Sequence, residues 1–172
     1  MKLLLGIAAL FGVDYASKQY VEGHFEEKKE KKVCGNHLIL RKYYNKGLAM
    51  NSFEKRPKLA IGLSASTLGY LVGKYLPEIR EKMKNHFLST GFAMVTAGAL
   101  GNLYDHIFRG KVIDFISVDV PKCKKLSKTV FNLADLFIVF GGVIMVLGIL
   151  FGGNDKCSCK CKCEEKILDN KK

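Results

Sequence analysis

The sequence has no short repeat, no HExxH pair of histidines and a shortage of acids. Without a short period, a collagen-like or coiled-coil chain is excluded. The four histidines, His24, His37, His86 and His106, lack the spacing of a zinc protease. No Ser–His–Asp pattern offers itself either, since Ser17, Ser52 and Ser117 have no suitably placed His–Asp partners. Asp plus Glu number 16 against 28 Lys plus Arg, a net charge of +12. The lysines are scattered over segments that flank apolar runs, which argues against a nucleic-acid surface. Apolar content of 48% excludes a disordered chain. The 172 residues suffice for one domain of ordinary size and hardly two.

What is present divides into long apolar runs and dense lysine clusters. Four runs approach the roughly 20 mostly apolar residues that a bilayer-crossing helix needs. They are Leu3–Val21, Leu59–Leu76 with Pro77 as its stop, Phe87–Tyr104 and Val130–Phe151, the last being the clearest. The first is the weakest, because Asp14 and Lys18 interrupt it, and its Met1–Val13 start also has the pattern of a signal peptide. Asp14 and Lys18 are four apart with the acid first, the better order for an ion pair on a helix, and a paired charge at a membrane boundary is cheaper than a lone one. Small residues recur at every fourth position, as Ala65, Gly69, Gly73 and as Ala93, Ala97, Gly101. Such stripes allow close helix packing in lipid, or simply reflect how common Gly and Ala are there. The run Glu26–Lys32 reads as a solvated helix face or turn. Val33–Tyr44 permits strands.

Four spans put both termini on one side and the two large connections on the other. The large connections hold 17 Lys and Arg and the opposite side 11, so a plain positive-inside count would turn the large connections inward. Polar residues collect at one set of helix ends: Asp14 and Lys18 after the first span, Asn45 and Gly47 before the second, Asn102 and Asp105 after the third, Asn132 and Asp135 opening the fourth. Asp114 follows in an extended stretch, Lys111–Ile116. All of these converge on one membrane face. Asp114 and Asp135 sit among apolar neighbours, and two close, poorly solvated carboxylates share a proton. That is the arrangement of an acid–base pair that activates water. The bland alternative is that both aspartates cap helices or pair with lysines, and that Asn45, Asn102 and Asn132 are ordinary caps and turn formers.

Over about residues 1–152 the chain resembles the lipoprotein signal peptidase (signal peptidase II) family. The motifs run in order: Asp14-Tyr-Ala-Ser-Lys18, Asn45-Lys-Gly47-Leu-Ala49, Gly98-Ala-Leu-Gly101-Asn102-Leu-Tyr-Asp105, Gly110-Lys-Val-Ile-Asp114-Phe115 and Phe131-Asn132-Leu-Ala134-Asp135. The resemblance implies an all-α membrane protein of four transmembrane helices, with a small extracytoplasmic β platform between helices 1 and 2. It implies an aspartic endopeptidase of the plasma membrane that cuts prolipoproteins just before a diacylglyceryl-modified cysteine. Asp114 and Asp135 would be the catalytic dyad. Asp14, Lys18, Asn45, Gly47, Asn102, Asp105, His106 and Asn132 would shape the site and bind substrate. No metal or cofactor is implied there, membrane lipid and a globomycin-like inhibitor would be partners, and the site would face outward with both termini cytoplasmic. His106 stands where the family usually has Arg, Leu48 where a small residue is usual, and Met50 where Phe is usual. An inactive paralogue is the reading these departures keep open.

Residues 153–172 fall outside the resemblance and form a Cys/Lys-rich, cytoplasmic tail. Cys157, Cys159, Cys161 and Cys163 share one face of an extended chain and could enclose Zn²⁺, Cu(I) or an iron–sulfur centre, although one residue between ligands is dense for zinc. Lipidation, or a basic tail that touches acidic headgroups, are the other readings. Cys34 and Cys123 would both be outside and could pair. The rival function classes are a proton-coupled carrier that uses Asp14, Asp114 and Asp135 as relays, and a metal-handling membrane protein driven by the tail.

Overall fold

The structure is a computed structural model that describes residues 1–27, 29–33, 38–47, 56–81, 86–118, 127 and 129–151. Cys34, Leu48, Met50, Cys123 and the tail with Cys157, Cys159, Cys161 and Cys163 lie outside the described residues.

Four long helices carry the fold: α1 (Lys2–His24), α2 (Pro57–Glu81), α3 (His86–Tyr104) and α4 (Leu133–Phe151). α3 is central and packs against α1, α2 and α4. Its small residues explain why. A Cβ on Gly91 would stand 2.6 Å from the Gly141 carbonyl oxygen, and one on Gly141 would stand 2.7 Å from Met94 Cβ, so α3 and α4 touch backbone to backbone. Ala93 and Ala97 are buried on the same helix. On α2 the expected seam is absent: Gly69 and Gly73 face open space. α2 instead packs through the larger side chains Leu71, Val72, Tyr75 and Leu76 onto a cluster of Leu88, Phe92, Val95 and Met145. Pro77 does not stop α2, which runs on to Glu81. One lost backbone hydrogen bond does not end a helix whose preceding turn is already anchored on a core.

α4 is the one helix among the described residues that is long and apolar enough, by length and composition, to cross a membrane. Its outer face shows Val139, Phe140, Val143, Val146, Ile149 and Leu150. α4 begins at Leu133 rather than at Val130 as the apolar run suggests, because Val130 and Phe131 are drawn into a sheet.

That sheet is antiparallel, in the order β1-β2-β3-β4, from β1 (Glu30–Val33), β2 (Leu38–Asn45), β3 (Val112–Val118) and β4 (Val130–Phe131). The platform therefore does not arise between helices 1 and 2 alone. Half of its strands come from the connection between α3 and α4. The physical reason is edge satisfaction: β2 would otherwise expose one row of backbone groups, and the apolar VIDFISV segment fills it. Of the run read as a solvated helix face or turn, Glu26, Glu27, Lys29, Glu30, Lys31 and Lys32 are exposed, and the last three belong to β1, not to a helix. A second cluster of Val21, Ile113 and Phe115, covered by Phe25, Leu40 and Leu133, joins the end of α1, the sheet and the start of α4. It fixes β3 against the helix ends.

Candidate active site

Asn132 stands alone between β4 and α4, and three of its groups are committed. Its side-chain Nδ2 donates to Asp114 Oδ1 at 2.6 Å. Its Oδ1 accepts from the Asp135 backbone N–H at 2.9 Å. Its own backbone N–H donates to Asp135 Oδ2 at 3.1 Å. The last two bonds form a reciprocal cap on the first turn of α4, satisfying two otherwise orphan donors. The first bond ties that cap to β3.

Asp114 lies opposite Tyr43 in the β2–β3 ladder and is 2% exposed. Asn45, at the end of β2, donates through Nδ2 to Asp114 Oδ2 at 3.2 Å, while its Oδ1 accepts the Gly47 N–H at 3.0 Å. Burial, and then the charge of Asp135, push the Asp114 carboxyl up to about 7. The two asparagine donors and Lys18 pull the other way without prevailing. At neutral pH such a carboxyl is only partly ionised, beside a second carboxyl.

A second chain of contacts begins at Asp135. Asn102 donates from Nδ2 to Asp135 Oδ1 at 2.9 Å and accepts through Oδ1 from Lys18 Nζ at 3.0 Å. The Lys18 ammonium is ion-paired at 2.8 Å to both Asp14 Oδ2 and Asp105 Oδ2, with all three side chains 1% exposed. Asp14 Oδ1 accepts the Ala134 N–H at 2.9 Å, so α1 also holds the start of α4. Gly101 leaves room for this: a Cβ there would come within 2.5 Å of Asp14 Oδ2. Arg109 Nη1 lies 3.2 Å from Asp105 Oδ1. Asp14, Asp105, Lys18 and Arg109 thus balance in charge, and no lysine or arginine pairs directly with Asp114 or Asp135 among the described contacts.

The structure brings the sequence-chosen residues that it describes to one end of the helices. Asp14, Lys18, Asn45, Gly47, Asn102, Asp105, Asp114, Asn132 and Asp135 form one bonded network. His106 is buried beside Asp105, and its burial lowers the imidazole from its ordinary value against the pull of Asp105, so the ring is neutral at pH 7. Sequence reasoning missed Arg109. The signal was available as Asp105-x-x-x-Arg109, an i,i+4 ion pair, but it falls on a turn of π-helix, Asp105–Arg109, that periodicity does not announce.

Where the helix ends meet the small sheet, one asparagine holds two carboxyls, the buried Asp114 and the half-buried Asp135. The family model for signal peptidase (SPase) II matches residues 6–151. A lipoprotein signal peptidase of Moorella thermoacetica is 27% identical over 158 residues, 91% of this chain and 97% of that protein. One from Clostridioides difficile is 29% identical over 151 residues, 88% and 96% of the two chains. One from Mesorhizobium japonicum is 36% identical over 115 residues, 67% and 66%. A solved bacterial membrane enzyme superposes with a TM-score of 0.76 at 21% identity, covering 92% of this chain and 93% of its own. A second does so with a TM-score of 0.73, also at 21% identity, over 90% and 94%. The chain belongs to the signal peptidase II family.

Proposed function

We propose that this peptidase works as an aspartic endopeptidase in which Asp114 and Asp135 activate water. Family membership carries the coarser statement, that it processes the signal peptides of prolipoproteins as a membrane protein. The single observation behind the finer one is the Asn132 bridge, which engages both carboxyls at once. Asp114 holds the shared proton and Asp135 is the base. Asp135 takes a proton from water as the oxygen attacks the scissile carbonyl carbon, and Asp114 gives its proton to the carbonyl oxygen. The tetrahedral adduct collapses as the C–N bond breaks. The proton on Asp135 goes to the leaving amine, and Asp114 recovers its own from the adduct hydroxyl. Atoms and charge balance with no other reactant.

The substrate in this reading carries a diacylglyceryl group on the cysteine after the scissile bond, and its signal helix lies in the bilayer beside α1–α4. All four helices span, with the sheet and the dyad at the outer surface and both termini cytoplasmic. Helices of 23, 25, 19 and 19 residues support this, since each reaches close to the roughly 30 Å of a bilayer core. Asp14, Lys18, Asn45, Gly47, Asn102, Asp105, His106 and Asn132 shape the pocket, where a globomycin-like cyclic peptide would compete. A carrier is not favoured, because the buried ionisable groups gather at one set of helix ends instead of lining a path through the bundle.

The test is cleavage of a diacylglyceryl-modified prolipoprotein by the purified chain in detergent. Wild type cleaves, a chelator changes nothing, and Asp114→Asn and Asp135→Asn each lose cleavage while melting as cooperatively as wild type. Cleavage by either folded variant, or chelator sensitivity, overturns the assignment.

A further inference from the structure

Arg109 is more deeply placed than its ion pair requires. Its side chain is 14% exposed; beyond the Asp105 ion pair it interacts with the Tyr15 hydroxyl, and no well-aligned hydrogen bond fills Nη1 or Nη2 among the described residues. Nη1 has only the ion-pair contact to Asp105, whose other oxygen is already taken by Lys18. A buried guanidinium with unfilled donors is costly until an acceptor arrives. The guanidinium carbon sits 5.2 Å over the Tyr15 ring. Tyr15 is part of an aromatic wall: Phe11 stacks on Tyr15 at 6.3 Å, Tyr104 meets Phe11 at 5.9 Å and Tyr15 at 5.6 Å edge-on, and Phe108 tilts against Tyr104 at 4.7 Å. Phe108 and Ile107 are exposed on the π-helical turn that follows α3, and exposed aromatics at the ends of membrane helices suit the headgroup level.

We propose that Arg109 and the Phe11–Tyr15–Tyr104–Phe108 wall form a binding site for one membrane phospholipid, the phosphodiester on the guanidinium and an acyl chain along the rings. The planar fork of arginine matches two phosphate oxygens, which a lysine would not. The rings beside it supply apolar contact of the right width for a chain, and the anionic group finds a chain of net charge +12. The site uses neither Asp114 nor Asp135, so it does not depend on the peptidase reading.

Native mass spectrometry of the full chain in detergent reads it, with phosphatidylglycerol, the diacylglycerol of the same chains and inorganic phosphate as probes. Wild type retains one phosphatidylglycerol and little diacylglycerol, and Arg109→Gln retains about tenfold less, the loss of a charge-assisted bidentate contact. Arg109→Lys recovers part of the retention. Phe108→Ala, at an exposed ring that the fold does not need, weakens retention with an unchanged melting temperature. Equal retention of diacylglycerol, or wild-type retention by Phe108→Ala and by folded Arg109→Gln, overturns the proposal. Displacement of the lipid by millimolar inorganic phosphate also overturns it, leaving a site for free anions.

Discussion

Asn132 and Asp135 bond each other twice, backbone N–H to carboxylate at 3.1 Å and amide oxygen to backbone N–H at 2.9 Å. The pair is a capping box in which the acid at the third helical position is also the base of the proposed mechanism. The helix start and the geometry of the proposed dyad are therefore one object. Asn132→Ala should lower kcat by about 10²-fold, the cost of letting a reacting group wander by an ångström. Single-turnover cleavage checks this, and a variant with near-wild-type kcat would separate the cap from the chemistry.

In the proposed mechanism the state of Asp114 sets the pH dependence. As general acid it must be protonated, and with its carboxyl pushed up to about 7 the rate should fall as pH rises through that value. Stability follows the same direction. The folded chain keeps a proton that the unfolded chain, with an ordinary value of 3.8, has already released. The contribution is whole below the unfolded value and is lost as pH climbs toward about 7. Asp114→Asn should flatten the melting temperature over that window. A melting profile with the same slope in wild type and variant would refute it.

Lys18 holds two buried carboxylates, Asp14 and Asp105, each at 2.8 Å. Lys18→Met strands both, and should cost about 3–5 kcal/mol as the removal of one member of a buried ion pair does. Adding Asp14→Asn to Lys18→Met removes one stranded charge and should recover part of the loss in a denaturant titration.

The α3–α4 contact predicts a contrast between glycines. Gly98→Ala places a methyl group onto the Ala134 carbonyl oxygen and should destabilise by about 1–3 kcal/mol, as overpacking does. Gly69→Ala, with open space around it, should be neutral or stabilise the helix by up to about 1 kcal/mol. Thermal melts of the two variants in one detergent decide the matter.

Much of this was legible in the residues. The helices α1 and α3 fall within a few residues of the apolar runs that announce them, because side-chain period and length leave little choice there. The gathering of Asp14, Lys18, Asn102, Asp105, Asn132 and Asp135 was legible because polar groups at the ends of apolar helices have nowhere else to go. The β4–α4 boundary was not, since Val130 and Phe131 suit a strand and an apolar helix equally and only pairing with Ser117 and Ile116 decides. Nor was β2–β3 pairing, which joins residues some seventy positions apart through a bulge between Leu40 and Tyr43. The packing role of Gly91 and Gly141, against the idle Gly69 and Gly73, depends on which helices meet, and composition does not carry that.

The bond from the Ala134 N–H to Asp14 Oδ1 spans 120 positions of sequence. A chain emerging from the ribosome has Asp14 in place long before α4 exists. Until Ala134 docks, the cap of α4 lacks its hold on α1 and Asp135 has no fixed place beside Asp114. Under the proposed mechanism a truncated or half-inserted chain therefore has no assembled dyad.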